Sequence, residues 1–228
     1  MKPRNLLRNA LFGLVGVTLF TAIACVSLQS NRPDSSPSAT PSPSPTPSPE
    51  KDTTGRDRPD TKIITMNLGG RSTEVELKLY GQPALPFITY YPSKDFSPEF
   101  KPFPEGDRLR FYFSPKGKKD EEAYVSFFQP KQPTTPEVLL DRMLGDNGMF
   151  IRNQWELVDR TNIVSYPWTT EKLIYQQQTN STLTVGAIYV GQKDGQAFYA
   201  LTHYPAKYGD QFDAKANIML ENLQFKQE

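Results

Sequence analysis

Thiol chemistry is the first thing the chain lacks. Its single cysteine, Cys25, sits in the N-terminal segment. Beyond it nothing can close an intrachain disulfide or present a thiolate. Histidine is equally scarce, with His203 the only one. A structural zinc site draws on several Cys and His side chains, so its ligands are missing. A Ser-His-Asp triad would have to be built on His203, and no Gly-x-Ser-x-Gly elbow accompanies it. Gly69-Gly70 and the glycines at 145–148 fit no glycine-Lys-Ser phosphate loop, and no calcium-loop spacing occurs. An excess of either charge is also missing: residues 61–228 hold 19 basic and 20 acidic side chains. That balance removes the electrostatic case for nucleic acid as the main partner.

One long apolar run is present. Residues 10–24 are apolar apart from Thr18 and Thr21, and Lys2, Arg4 and Arg8 precede them without an acid. Charge followed by a short apolar stretch and small residues is the pattern of a secretory signal. The positive end stays at the cytoplasmic face, so the chain beyond the run is exported. The end of the run, Ala22-Ile23-Ala24-Cys25, resembles the bacterial lipobox, with Ala22 where leucine is usual. The resemblance implies that Cys25 becomes the acylated N-terminus, held in the membrane by several chains. Two other readings stay open. The run extends through Leu28 to the ~20 residues that span a bilayer, leaving an uncleaved anchor. Alternatively, cleavage sets the domain free. The first two readings hold the protein to the membrane by its N-terminus, on the periplasmic or thylakoid-lumenal face.

The chain divides into residues 1–25, the signal or anchor; 26–60, a linker; and 61–228, a single domain. Of 21 prolines, eight fall between Gln29 and Asp60, most of them alternating with Ser or Thr. Such a segment cannot bury enough apolar surface to offset the entropy of ordering, so it is expected to be a disordered spacer. At ~3.1 Å per residue, a polyproline-like stalk of about 30 residues reaches up to roughly 90 Å.

Residues 73–80 alternate, with Val75, Leu77 and Leu79 opposed to Glu74, Glu76 and Lys78, as in a half-buried strand. Residues 86–92 read as a short strand entering a loop that carries Phe96, Phe100 and Phe103. Leu109, Phe111 and Phe113 alternate inward, residues 116–120 form a polar turn, and Ala123, Val125 and Phe127 return as the second arm of a hairpin. Thr135 and Pro136 open a helix whose stripe is Leu139, Leu140, Met143 and Leu144, with Gly145 placed to stop it. Strands come next around 155–159, 172–177 and 182–189. A turn at 191–195 contains Asp194-Gly195, and residues 196–204 form the next strand. Asp210 is expected to cap a last helix bearing Phe212, Ala216, Met219, Leu220 and Leu223. Without βαβ alternation, the fold class is α+β: an antiparallel sheet with helices packed on it.

The order of these elements resembles the PsbP-like fold, named for an extrinsic subunit of photosystem II. Phe87-Ile88-Thr89-Tyr90-Tyr91-Pro92-Ser93-Lys94-Asp95-Phe96 resembles its opening strand and proline-containing loop. Glu105-Gly106-Asp107-Arg108-Leu109-Arg110-Phe111 resembles the next strand. Ala123-Tyr124-Val125 and the helix through Leu144-Gly145 come in the same order. Gly195-Gln196-Ala197-Phe198-Tyr199-Ala200-Leu201 resembles the penultimate strand, and the segment from Ile218 to Phe225 the closing helix and strand-like end. Residues 61–80 look like an added N-terminal strand. The resemblance implies an α/β sandwich and, with the lipobox, a cyanobacterial or other bacterial lipoprotein. It further implies a non-enzymatic accessory or assembly factor of a membrane protein complex, a photosynthetic one included. The metal-binding histidines of some members have no counterpart set here, so no cofactor is expected.

The remaining candidates are aromatic. Tyr166 and Trp168 flank Pro167 in a loop, and Tyr204 and Tyr208 lie between the last long strand and the last helix. They serve either as binding anchors or as lids over the core. Asp120-Glu121-Glu122 beside Lys116, Lys118 and Lys119 reads as a solvated turn or as a loose calcium site. The rival to an accessory role is an envelope lipoprotein that binds a small ligand or a cell-wall component.

Overall fold

The computed structural model describes residues 58–226. The signal or anchor ending at Cys25, and the linker up to residue 57, lie outside the described residues. Pro59 and Asp60, expected as the end of the linker, are tied to the domain. The Pro59 carbonyl accepts from the Tyr90 hydroxyl at 2.7 Å, and the Asp60 carbonyl accepts from the Leu79 N–H at 2.7 Å.

The strands are β1 (Thr61–Leu68), β2 (Arg71–Gly81), β3 (Phe87–Pro92), β4 (Phe96–Pro102), β5 (Gly106–Phe113), β6 (Tyr124–Pro130), β7 (Glu156–Thr161), β8 (Thr169–Thr179), β9 (Thr182–Lys193), β10 (Gln196–Pro205) and β11 (Gln224–Phe225). The helices are α1 (Pro136–Leu144), α2 (Met149–Asn153) and α3 (Gly209–Glu221), the last preceded by a 3-10 turn at Ala206–Tyr208. The strands make two sheets, ordered β1-β2-β3-β11 and β4-β5-β6-β10-β9-β8-β7. Every pairing is antiparallel.

The α+β class therefore holds, with two sheets in place of one. Residues 61–80 are not one added strand but a hairpin. Gly69 (φ 57°) and Gly70 (φ 79°) supply the two left-handed residues of its turn. β2 then continues onto β3, and β3 onto β11, instead of joining the large sheet. The segment with Phe96 and Phe100 is also a strand rather than a loop. Pro98 and Pro102 lack an N–H to share, which suits β4 to the sheet edge where it lies. The large sheet is two runs of consecutive hairpins, β4-β5-β6 and β7-β8-β9-β10, joined where β6 pairs with β10. Asp194 (φ 51°) and Gly195 (φ 79°) make the tight β9–β10 turn.

Alternation on the strands sorts side chains to two faces of this sheet. Phe111, Phe127 and Phe198 point inward, where Phe87 of the small sheet and Phe212 and Met219 of α3 enclose them. On the outer face, Leu139, Leu140 and Met143 of α1 cover Leu173, Ile188, Val190 and Leu201. Thr135 caps α1 by accepting from the Val138 N–H at 3.4 Å, and Pro136 takes the first helical position. Gly145 ends α1 in an extended conformation. Asp210 does not cap α3: it lies inside the first turn, and Tyr208 occupies the cap position without a side-chain bond to the helix. Among the described residues, no helix is long and apolar enough to cross a membrane.

Candidate binding face

Because Leu109, Phe111 and Phe113 are inward, Arg108, Arg110 and Tyr112 must be outward. The same parity sends Tyr124, Ser126 and Phe128 outward on β6, and Tyr199, Leu201 and His203 outward on β10. The register sets them in rows: Arg108–Phe128–Tyr199, Arg110–Ser126–Leu201 and Tyr112–Tyr124–His203. The third row runs on through Gly186 to Tyr175. A Cβ on Gly186 would collide with the Tyr175 ring and the Thr202 carbonyl, so glycine lets the tyrosine lie across β9. The Tyr175 hydroxyl is 2.9 Å from His203 Nδ1 and 3.1 Å from the Thr202 carbonyl oxygen. A carbonyl oxygen only accepts, so making both contacts sends the phenol proton to Thr202 and puts a proton on Nδ1. Trp155 stacks on Tyr175 at 4.1 Å, and Tyr124 stacks on His203 at 5.0 Å.

Burial, helped by Arg110, holds the His203 pKa down to about 4, so the imidazole is neutral at pH 7. Burial also raises Tyr175 well above the usual phenol range and Tyr199 to about 12.

The cations are arranged on this aromatic bed. The Arg110 guanidinium lies 3.8 Å from the Tyr124 ring centroid, and its Nη1 donates to the Tyr112 hydroxyl at 3.3 Å. Its Nε is buried without a partner. Arg108 lies over the Phe103 ring at 4.4 Å, and Lys119 over Tyr112 at 3.6 Å. None of the ion pairs among the described residues involves Arg108 or Arg110. Glu99 stands opposite Arg110 in the register, yet it pairs with Lys101 at 2.5 Å and Lys119 at 2.7 Å. Hydrogen bonds from those two lysines hold its carboxyl down to about 2. α1 packs on β9 and β10; on the β4–β6 half Arg108, Arg110, Tyr124 and Phe128 stay partly exposed, while Tyr112 and Ser126 are buried.

No protein-family model matches this chain, and no curated protein matches it. A solved structure from Bacteroides thetaiotaomicron is similar over 66% of this chain and 48% of its own, at 14% identity and a TM-score of 0.41. The match thus spans about half the length of that protein.

The aromatics singled out in the sequence lie elsewhere. Tyr166, Trp168 and Tyr204 are 7%, 9% and 7% exposed, inside the core. Tyr166 and Trp168 stack at 5.5 Å, and the Trp168 indole donates to the Leu220 carbonyl at 3.2 Å. Tyr166 donates to Asn217 at 2.9 Å, while Tyr204 stacks on Phe212 at 4.4 Å. Their placement matches lids over the core, not exposed anchors. Tyr208 is half-buried and donates to Asp120 at 2.9 Å. It lines a cleft of about 630 Å³ with Lys116, Lys118 and Lys119. Asp120 also accepts the Glu122 N–H, and Glu121 pairs with Lys119, so this acidic turn is engaged with its neighbours. Among the described residues, no group of three or more His, Cys, Asp or Glu side chains is placed to hold a metal.

The β4–β6 face joins residues far apart in the chain, so no local pattern marks it as a whole. The available signal was Arg108-Leu109-Arg110-Phe111-Tyr112, whose outward positions carry two guanidiniums and a ring where a plain solvent face would carry short polar side chains.

Proposed function

We propose that the protein is a non-enzymatic, membrane-tethered extracytoplasmic protein that binds a membrane protein complex as an accessory or assembly factor. A PsbP-like sandwich and a photosynthetic complex are the form of this reading that the sequence resemblance favours. Lys2, Arg4, Arg8, the apolar run and Cys25 support export and tethering. The observation that carries the binding role is the β4–β6 face, where two partly exposed guanidiniums in no ion pair among the described residues rest on packed rings. Such a face is organised before any ligand arrives, which lowers the ordering cost of association.

The test is co-purification of the C-terminally tagged full chain from gently solubilised membranes, read by native gel and mass spectrometry. Stoichiometric migration with one membrane complex is expected. Migration as a lone species, under conditions that keep complexes intact, would sink the proposal. The rival, an envelope lipoprotein for a small ligand or cell-wall component, draws support from a cleft of about 690 Å³ between α1 and the β7–β8 pair, lined by Glu137, Asp141, Arg160 and Glu171. Its size lies within the range of about 300–1,000 Å³ usual for ligand pockets. A solute-specific thermal shift without co-purification would favour it.

A further inference from the structure

We infer that the β4–β6 half of the outer face recognises an extended acidic segment of a partner protein, with Arg108 and Arg110 each receiving a carboxylate. The inference rests on the binding role proposed above and names the chemistry of its partner.

Four observations point to this ligand. First, the two guanidiniums have no carboxylate of their own. The one acid opposite them, Glu99, is committed to Lys101 and Lys119. Lys101 itself stands opposite Arg108, its charge offset by Glu99 at 2.5 Å.

Second, Arg108 and Arg110 alternate on one strand, which separates them by ~6.8 Å. Carboxylates at alternate positions of an extended peptide repeat at the same spacing, so strand and ligand keep step.

Third, each guanidinium is held on a ring, Arg110 on Tyr124 and Arg108 on Phe103. An arginine fork fixed in this way loses little freedom when it takes a carboxylate bidentately.

Fourth, the ring faces are already occupied. Tyr124 lies between Arg110 and His203, and Phe128 stacks on Tyr199 at 5.2 Å. A sugar or a nucleobase would need a bare ring to stack on. What this face offers outward is charge in a fixed array.

The test is fluorescence anisotropy with the purified full chain in detergent and a fluorescein-labelled peptide of alternating Glu and Ser, eight residues long. The matched Gln-Ser peptide and phosphatidylglycerol vesicles serve as competitors. The Glu peptide should bind, weaken as salt rises, and lose at least tenfold in affinity in the Arg108→Gln/Arg110→Gln variant. Arg110→Lys, which keeps the charge and loses the fork, should lose part of that. Arg110 packs on Tyr124, so thermal unfolding is recorded for each variant. If the double variant does not fold, Arg108→Gln and Arg110→Lys decide the matter. Equal binding of the Gln peptide, unchanged affinity in the folded variants, or displacement of the peptide by vesicles would overturn the inference. Peptide failure with co-purification intact removes this inference alone. Peptide binding without co-purification removes the accessory role alone.

Discussion

The inner and outer faces of the seven-stranded sheet are written by the same strands, at alternate residues. Inward, β5, β6 and β10 present Phe111, Phe113, Val125, Phe127 and Phe198, all enclosed by the small sheet and α3. Outward, the intervening positions hold Arg110, Tyr112, Tyr124, Tyr199 and His203. Ring area is plentiful on both faces, but the chemistry differs. Phenylalanine fills the side where a hydroxyl would have few partners and a desolvation cost. Tyrosine, histidine and arginine fill the other side, where Arg110 Nη1 meets the Tyr112 hydroxyl and Tyr175 meets His203 and the Thr202 carbonyl. On β5 and β6 the inner Phe111, Phe113, Val125 and Phe127 are core, while Arg108, Arg110, Tyr124 and Phe128 on the outer side are partly exposed, so substitutions on the two faces of these strands should have different consequences.

The largest contrast should come from adjacent residues. Phe127→Ala, on the inner face, is expected to cost about 3–5 kcal/mol in urea unfolding. Phe128→Ala, half-buried on the outer face, should cost clearly less. Equal losses would mean that the two faces are equally cohesive.

Next is the pH response of the outer face. The folded His203 pKa, near 4, lies below the ordinary value of 6.5. As pH falls through 6.5 the unfolded chain takes up a proton that the folded chain refuses, so stability drops until pH reaches about 4 and then levels. The difference corresponds to a loss on the order of 3 kcal/mol. Urea unfolding of the parent and His203→Gln across that window should show the parent alone losing this increment. Parallel curves would show that His203 is not held neutral.

The smallest effect concerns the helix that covers half of the outer face. Thr135→Ala removes the α1 cap and should cost about 1 kcal/mol. It should leave acidic-peptide affinity unchanged, because Arg108 and Arg110 lie on the uncovered half. A parallel loss of affinity would tie the two halves together.

Strand alternation made much of the large sheet legible. Leu109, Phe111 and Phe113 faced inward as spaced, and Thr135-Pro136 opened α1. Gly69-Gly70 carries no phosphate-loop pattern, yet its two left-handed residues turn β1 onto β2 and so build the second sheet. Pro98 and Pro102 disguise β4, since proline is excluded from the interior of a central strand and tolerated at a sheet edge. α2, at five residues, is too short for a helical repeat to register. The aromatic loops drew notice for their composition, but composition does not separate a lid from an anchor: Trp168 is enclosed by Tyr166, Tyr189 and Phe198. The outer face depends on the β6–β10 register, which joins residues distant in the chain and leaves no local trace.

That same β6–β10 register has a kinetic consequence. β4-β5-β6 and β7-β8-β9-β10 can each zip by short hairpin closures, which are fast and entropically cheap. Joining them brings together segments separated by α1, α2 and three strands, so this long loop closure should govern the folding rate. Tyr124, Phe128, Tyr199 and His203 meet only across that junction. Their contacts bridge two halves that assemble independently, so they should slow the separation of the halves and prolong the lifetime of the folded state.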